Sequence, residues 1–347
     1  ELYASSGTGI GDLSAVTVES GAEFEIGVLA GAVTETIGSL AGAGDFSVNN
    51  PDDHLITGNN NSSTTFSGNA IGGQIEKIGT GVFTVSGTGN LSTGLTVTAG
   101  TLAIADGGDY TAATTVATGA TLDIQAGVSG GLLTGNVAAA TGSFVKVNGT
   151  LTGNVTNAGR LSGTGTIVGN VVNTGNVAPG NSPGILNVSG SFTQTAAGTL
   201  TIELSPVATA GTGFDQVAVT GAPGTATLAG ALALTPSAGL YTAGTTYDIV
   251  TATGGITGAF ATVTGGTVSP FLTFAPTGIV TIAGTNQVYR LTVTRTNYAT
   301  GLGASANANR IAVANGFQTL VAGATGDTAT LVIAADNATT AAQAAVL

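Results

Sequence analysis

The chain has 347 residues, with 57 glycines, no cysteine, 42% hydrophobic residues and only 7% charged residues. This composition excludes intrinsic disorder, which needs low hydrophobicity and high charge, and the lack of cysteine excludes disulfides, zinc–thiolate sites and thiol catalysis. The net charge of −12, with only six basic residues, leaves no basic stripe for nucleic acid, so no nucleic-acid partner is expected.

Residues 1–70 show short segments in which apolar and polar residues alternate. Ala15–Val18 and Phe24–Ile26 have period two, which predicts strands with one buried face. Pro51-Asp-Asp-His54 predicts a surface loop. The acidic residues concentrated in this part predict a solvated face, with a cation site as the alternative.

The stretch from Gly79 to Ile124 has the pattern on which the rest of the chain is built. Thr96–Ile104 and Thr115–Ile124 each consist of an apolar alternation, a glycine corner and a second alternation, and Thr17–Ile26 has the same frame. A repeat of about 20 residues is typical of a solenoid, in which each repeat buries its apolar face against its neighbours. We therefore predict an all-β fold, with parallel β-helix repeats over residues 1–205.

Polar residues recur between these alternations. Asn136, Asn154 and Asn170 predict corners, because asparagine tolerates a left-handed backbone, and they predict side-chain ladders between rungs. The threonines at alternating positions, Thr84, Thr96, Thr115 and Thr201, are expected to point outward. Such a face suits glycan, surface or self-contacts, although threonine is also simply a good strand residue.

The last third of the chain changes character. Residues 206–302 predict terminal rungs and a β cap, because an open solenoid end is an unpaired sheet edge. Residues 303–347 form an Ala/Asn-rich junction, in which Ala304–Val321 predicts a helix and Gly326–Leu347 a second helix or an extended tail. The apolar residues at helical spacing in the first of these segments are Ile311, Val313, Phe317 and Leu320.

Catalytic chemistry finds little support in the residues. The single histidine, His54, lies beside Asp52 and Asp53. His54 is either a general base or metal ligand, or simply part of a polar loop. A Ser-His-Asp triad could use only His54, and no Gly-x-Ser-x-Gly nucleophile elbow is expected.

Pairs of carboxylates offer a second kind of candidate site. Glu23 and Glu25, and likewise Asp106 and Asp109, could form a glycosidase pair within a cleft. Glu23 and Glu25 are nevertheless predicted to point outward, since Phe24 between them takes the inside.

Glycine-rich fragments resemble ligand-binding motifs only in part. Gly42–Asp45 and Gly107–Asp109 are single, imperfect pieces of a calcium-binding nonapeptide, and Gly79–Gly81 and Gly163–Gly165 lack the rest of a nucleotide fingerprint. We therefore predict no catalytic residues, no cofactor and no metal site.

The ordered motifs of the chain resemble the passenger region of bacterial type V autotransporters, with passenger-associated transport repeats and a pertactin-like β-helix that ends in an autochaperone segment. The stretches that carry this resemblance are Asn59–Gly68, Lys77–Gly87, Thr96–Leu102, Gly163–Ile167, Val177–Gly184, Phe214–Val217, Ala226–Leu234, Tyr241–Ile249 and Val288–Asn297.

This resemblance implies a right-handed parallel β-helix that a C-terminal outer-membrane barrel carries to the surface of a Gram-negative bacterium. The sequence is expected to be a passenger without that barrel, so an outer-membrane partner would be reached only through the missing segment. Passengers of this family include adhesins, self-associating proteins, proteases, lipases and toxins, so the resemblance does not choose among them.

We expect a non-enzymatic protein of the cell surface or extracellular space that acts as an adhesive or structural rod. Glu1 lies in a rung that has already begun, which suggests head-to-tail self-association into filaments. Host or surface glycans and proteins are further expected partners. The alternative is the stalk and export cap of a larger secreted enzyme, a protease or lipase, whose catalytic domain lies upstream of Glu1.

Overall fold

The computed structural model describes residues 2–4, 9–27, 31–303 and 306–337. Over most of this length the chain winds through three sheets in turn, with one short strand in each sheet per turn. Neighbouring strands within each sheet are parallel, except at the C-terminal end of the first sheet. The predicted all-β fold and its parallel β-helix are confirmed.

Sheet A has 14 strands. In spatial order they are β1 (Leu2–Ala4), β3 (Glu23–Ile26), β6 (Asp45–Val48), β9 (Ala70–Ile71), β12 (Thr88–Asn90), β15 (Asp109–Thr111), β18 (Leu132–Thr134), β21 (Thr150–Thr152), β24 (Thr166–Val168), β27 (Ile185–Ser189), β30 (Gln216–Thr220), β33 (Thr246–Ala252), β37 (Asn286–Arg295) and β36 (Leu272–Ala283).

Sheet B has 12 strands. In spatial order they are β2 (Ala15–Val18), β5 (Ser39–Gly42), β8 (Thr64–Phe66), β11 (Val82–Val85), β14 (Thr101–Ile104), β17 (Thr121–Ile124), β20 (Phe144–Val147), β23 (Arg160–Gly163), β26 (Asn176–Pro179), β29 (Thr199–Leu204), β32 (Ala231–Pro236) and β35 (Thr262–Thr264).

Sheet C has 11 strands. In chain order they are β4 (Thr34–Ile37), β7 (His54–Thr57), β10 (Gln74–Lys77), β13 (Gly94–Val97), β16 (Thr114–Val116), β19 (Val137–Ala139), β22 (Val155–Asn157), β25 (Val171–Asn173), β28 (Phe192–Gln194), β31 (Ala226–Leu228) and β34 (Ile256–Gly258).

Period-two alternation explains why such short strands are stable. In β17, Leu122 and Ile124 are fully buried while Thr121 and Asp123 face outward. The register stacks Leu122 on Leu102 in the rung before and on Val145 in the rung after. Each strand thus gains backbone partners on two sides and adds two apolar side chains to one continuous core.

The repeated frame occupies different corners of the solenoid. Thr96–Ile104 and Thr115–Ile124 both run from sheet C into sheet B, whereas Thr17–Ile26 runs from sheet B into sheet A. The first copy was predicted to be equivalent to the later two, and this is wrong, because it occupies a different corner of the solenoid. All three sheets need the same apolar alternation, so a strand–glycine–strand unit suits any of the corners.

The asparagine corners exist, but their backbone differs from the prediction. Positive φ angles fall on the preceding glycines, for example 145° at Gly135 and 153° at Gly153, and not on Asn136, Asn154 or Asn170. A Cβ at Gly135 would lie 2.1 Å from the carbonyl oxygen of Ala112 in the neighbouring rung. Close contact between rungs, rather than turn chemistry alone, therefore requires glycine at this corner.

Polar side chains also enter the core at one corner of sheet C. The Nζ atom of Lys77, which is 1% exposed, donates to the carbonyl oxygens of Ile78 (2.7 Å), Gly79 (2.9 Å) and Ala99 (3.3 Å). Burial lowers the pKa of Lys77 to about 8. Further along, buried Asn157, Asn173 and Gln194 hold equivalent positions on successive strands of sheet C.

An antiparallel hairpin ends the solenoid. β37 pairs with β33 on one side and with β36 on the other, both antiparallel. Aromatic rings fill the space below it: Tyr247 contacts Phe214 at 5.2 Å, and Tyr289 contacts Phe260 at 4.9 Å, between ring centroids. The hairpin therefore covers the apolar end of the core, as a predicted β cap should.

Within residues 296–303 and 306–337, three short α-helices follow the hairpin, together with a 3-10 turn at Val321–Gly323: α1 (Tyr298–Gly301), α2 (Ala308–Gln318) and α3 (Gly326–Asp336). The helix predicted within Ala304–Val321 is confirmed over α2, and α3 lies within the second predicted segment. Of the apolar residues at helical spacing, Val313 is 55% exposed and Leu320 44%, whereas Phe317 packs on Tyr298 with ring centroids 5.0 Å apart. Ala314 is the buried residue of α2, so the helix contacts the cap through a narrow strip.

Candidate functional site

The outward surface of sheet C carries a long uncharged column, which we call the sheet C column. It runs over eight consecutive strands, β13 to β34, with one residue from each. In order its members are Thr96, Thr115, Ala138, Thr156, Val172, Thr193, Thr227 and Thr257. Over the same rungs sheet B carries the charged residues Asp123, Lys146, Arg160 and Glu203. Sheet A carries Asp109 and Asp248 at the two ends of this stretch, and its strands β18 to β30 contain no charged residue.

An exposed asparagine ladder borders the sheet C column. The Oδ1 atom of Asn136 accepts a bond from the backbone N–H of Asn154, and Asn154 Oδ1 accepts one from Asn170 N–H, both at 2.9 Å. Asn170 Oδ1 then accepts from the N–H and hydroxyl of Ser191, at 2.9 and 2.8 Å. Each carbonyl oxygen is thus used within the ladder. The side-chain amides make no bond within it, so hydrogen-bond donors line this border.

Two adjoining depressions lie on this face, with volumes of about 290 and 340 Å³. Both are lined by Thr115, Ala138 and Thr156. The methyl side chain of Ala138 gives the column a low point between two threonines. The surface there combines small apolar patches with hydroxyl groups and carries no charge.

A histidine–carboxylate pair lies near the N-terminal end of the column. His54 Nε2 is 3.3 Å from Glu76 Oε2, and both side chains are about four-fifths buried. Burial lowers the pKa of His54, while the charge of Glu76 opposes that shift. Glu76 precedes Thr96 in the register, and Gln74 Nε2 donates to Thr96 Oγ1 at 2.9 Å.

The carboxylate paired with His54 is therefore that of Glu76, and not that of Asp52 or Asp53, its neighbours in sequence. It begins β7, rather than lying in a loop. Asp53 is fully buried, and its carboxylate accepts the backbone N–H groups of Val33 (2.7 Å) and Asn50 (3.0 Å). The prediction of a surface loop is wrong for Asp53, because this carboxylate satisfies backbone donors between rungs.

The other carboxylate pairs considered in the sequence lie on the surface and bond to neighbouring rungs. Glu23 and Glu25 both point outward, as predicted, with Glu23 accepting from Ser47 Oγ at 2.6 Å. Asp106 accepts the backbone N–H groups of three residues in the next corner, Val128, Ser129 and Gly130. These bonds lower the pKa of Asp106, and they assign it to loop structure rather than to a catalytic pair.

A polar cleft of about 240 Å³ lies between sheets A and B. It is lined by Arg160, Glu203 and Asp215 among others. Asp215 is 2% exposed, and its two oxygens accept the backbone N–H groups of Gly184 and Glu203, both at 2.8 Å. Burial raises the pKa of Asp215 to about 6, against these hydrogen bonds and the charge of Arg160. Sequence reasoning placed Asp215 in a family motif but did not predict this cleft.

The pentapeptide Gly-x-Ser-x-Gly does occur, twice, at Gly127–Gly131 and Gly180–Gly184. Ser182 of the second copy has a φ of 85° and lines the polar cleft. Neither copy joins a strand to a helix, and His54 lies several rungs away on another sheet. A nucleophile elbow is therefore not formed at either place.

Asp215 should make stability depend on pH. Between pH 6 and pH 4 the folded state holds a proton at this carboxyl that the unfolded state does not, so stability should rise as the pH is lowered through this range. The rise should reach at most about 3 kcal/mol. Urea unfolding of the wild type and of Asp215→Asn, followed by circular dichroism, measures the difference. Equal pH slopes in the two proteins would contradict the assignment.

No protein-family model matches this sequence, and the search of curated proteins finds no significant match. Among residues 2–4, 9–27, 31–303 and 306–337, none of the helices is long and apolar enough to cross a membrane. The same residues contain no group of three or more histidine and carboxylate side chains that could hold a metal ion. The sheet C column and the polar cleft are thus the two sites on which function can be argued.

Proposed function

We propose that the protein is a non-enzymatic autotransporter passenger, displayed at the cell surface or released from it, and that it acts as an adhesive rod. The sheet C column is its adhesive face. The observation that supports this proposal is the uncharged surface that continues over eight strands from Thr96 to Thr257.

The chemistry of this face favours a neutral, extended ligand, such as an uncharged polysaccharide. Threonine hydroxyls and asparagine amides provide donors and acceptors at each rung, about 4.8 Å apart along the solenoid axis. A ligand that repeats its own hydroxyl groups along an extended chain can engage many of these weak sites at once. Each contact adds little, so affinity would come from the number of rungs engaged.

The charge of the whole protein supports the same ligand class. A net charge of −12 repels acidic polysaccharides at long range, although salt screens this repulsion. A neutral ligand experiences no such repulsion. It also displaces water from uncharged groups only, which avoids the desolvation of ions.

Binding of the full chain to immobilised neutral and acidic polysaccharides tests the proposal. We expect binding to a neutral polysaccharide that changes little between low and high salt, and weaker binding to acidic ones. Failure to bind any neutral polysaccharide, or binding that disappears at high salt, would contradict it. Hydrolysis of a bound polysaccharide would show instead that the protein is an enzyme.

A further inference from the structure

The second half of β36 is an open sheet edge, which we call the cap edge and define as Gly278–Ala283. β36 is the last strand of sheet A, and β37 is its single partner among the described strands. Its first half is covered on the other side, where Phe274 N–H donates to Gly266 at 2.7 Å. In the described part of the chain, no strand or backbone hydrogen bond covers the outer side of the cap edge.

The cap edge has only part of the usual protection against pairing. Gly278-Ile-Val-Thr-Ile-Ala283 contains no charge and no proline, although its register with β37 shifts at Thr277 and at Ile282. Ile279 is 39% exposed and Ile282 is 56% exposed. Natural sheets normally protect such edges with lysine, proline, bulges or very short strands, because unpaired N–H and C=O groups accept another strand. Between the two shifts, Gly278–Thr281 stays in regular register with β37, and this stretch has the properties of a strand-pairing site.

The distribution of charge indicates which partner can approach. Residues 1–75 contain nine acidic residues and no lysine or arginine, a net charge of −9: Glu1, Asp12, Glu19, Glu23, Glu25, Glu35, Asp45, Asp52 and Asp53. Residues 246–337 contain three acids and three bases, a net charge of zero: Asp248, Asp327, Asp336, Arg290, Arg295 and Arg310. Two copies that meet at their caps keep their acidic halves far apart, whereas two copies that meet at their N-terminal ends repel.

We propose that the cap edge pairs with the cap edge of a second copy of this chain, antiparallel and about a twofold axis. The two sheets A then become one continuous sheet across the dimer, and the two rods point away from each other. The interface is isologous, so it closes at two copies and does not extend into a filament. It also pairs the backbone groups that the cap edge leaves open and covers Ile279 and Ile282.

Sedimentation of the full chain over a wide concentration range measures this assembly. We expect a species of twice the chain mass of 33.1 kDa, with no larger species. Ile282→Lys should raise the dimer dissociation constant at least about tenfold, because it places like charges near each other across the twofold axis. Leu331→Lys is the matched control, since Leu331 on α3 is 53% exposed, and it should leave the dimer unchanged.

Chemical cross-linking distinguishes the geometry, since the chain contains no cysteine. Thr281→Cys should give cross-linked dimers with a short bismaleimide, and Thr17→Cys should not. Monomers at every concentration, or a dimer that Ile282→Lys leaves intact, would overturn the proposal. Cross-links that form only in a mixture of the two cysteine variants would also overturn it, because they indicate head-to-tail contact.

Discussion

Replacing Arg295 by alanine is expected to destabilise the C-terminal cap by about 3–5 kcal/mol. Arg295 and Asp336 form an ion pair, with side chains 8% and 0% exposed, that joins β37 to α3. Arg295 Nη1 lies 3.0 Å from Asp336 Oδ1, and Arg295 Nε donates to the carbonyl oxygen of Tyr241 at 2.9 Å. Without the guanidinium, Tyr298 is the one side chain among the described residues that still bonds to the buried carboxylate, at 2.8 Å.

Hydrogen exchange across α1 to α3 measures this loss locally. Burial raises the pKa of Asp336, so the variant should recover part of its protection at low pH, where the carboxyl is neutral. Arg290→Ala is the control. Arg290 lies on β37, like Arg295, and pairs with Asp248 on β33, but each of these two side chains is about one-quarter exposed. That variant should lose at most about 1 kcal/mol. Equal losses in the two variants would contradict the role of burial.

Replacing Asn173 by alanine is expected to destabilise the solenoid by about 4 kcal/mol. Asn173 is fully buried in the middle of the polar corner of sheet C. Its Oδ1 accepts from Asn157 Nδ2 at 2.9 Å, and its Nδ2 donates to the carbonyl oxygen of Thr199 at 3.1 Å. Alanine would remove both bonds and create a cavity between rungs, while Asn157 Nδ2 would keep the carbonyl oxygens of Gly159 and Asn176.

Asn170→Ala gives the matched comparison for Asn173→Ala. Asn170 lies three residues earlier, in the exposed ladder, where water can replace its bonds to Ser191. We expect a loss of about 1 kcal/mol there. Urea unfolding followed by circular dichroism measures both variants. A loss at position 173 no larger than the loss at position 170 would show that the internal ladder adds nothing to stability.

The fold was predictable because it depends on a local signal. Alternation places Leu122 and Ile124 inside whichever sheet their strand joins, and glycine marks the corner on either side. The same signal does not state which sheet a strand joins, since all three sheets require it. For this reason Thr17–Ile26 resembles Thr115–Ile124 in sequence although the two segments join different pairs of sheets. Which sheets a segment joins depends on the number of residues in every preceding rung.

The candidate sites were less predictable, because they depend on contacts between rungs. His54 was assessed with Asp52 and Asp53, its neighbours in sequence, whereas its nearest carboxylate belongs to Glu76, one turn later. Arg295 and Asp336 are likewise 41 residues apart. The sheet C column was partly predicted from Thr96 and Thr115. Its continuity becomes visible only when the register aligns one residue from each strand.

The central proposal is that adhesion uses one face of a three-sided rod. Lysine pairs on the three faces test this most directly, in binding of the full chain to the neutral polysaccharide. Thr115→Lys with Thr156→Lys changes sheet C, Thr65→Lys with Thr84→Lys changes sheet B, and Thr111→Lys with Thr134→Lys changes sheet A. We expect the sheet C pair to weaken binding at least about tenfold and the other two pairs to change it less than about twofold. Equal effects on all three faces, or none on sheet C, would contradict the proposal.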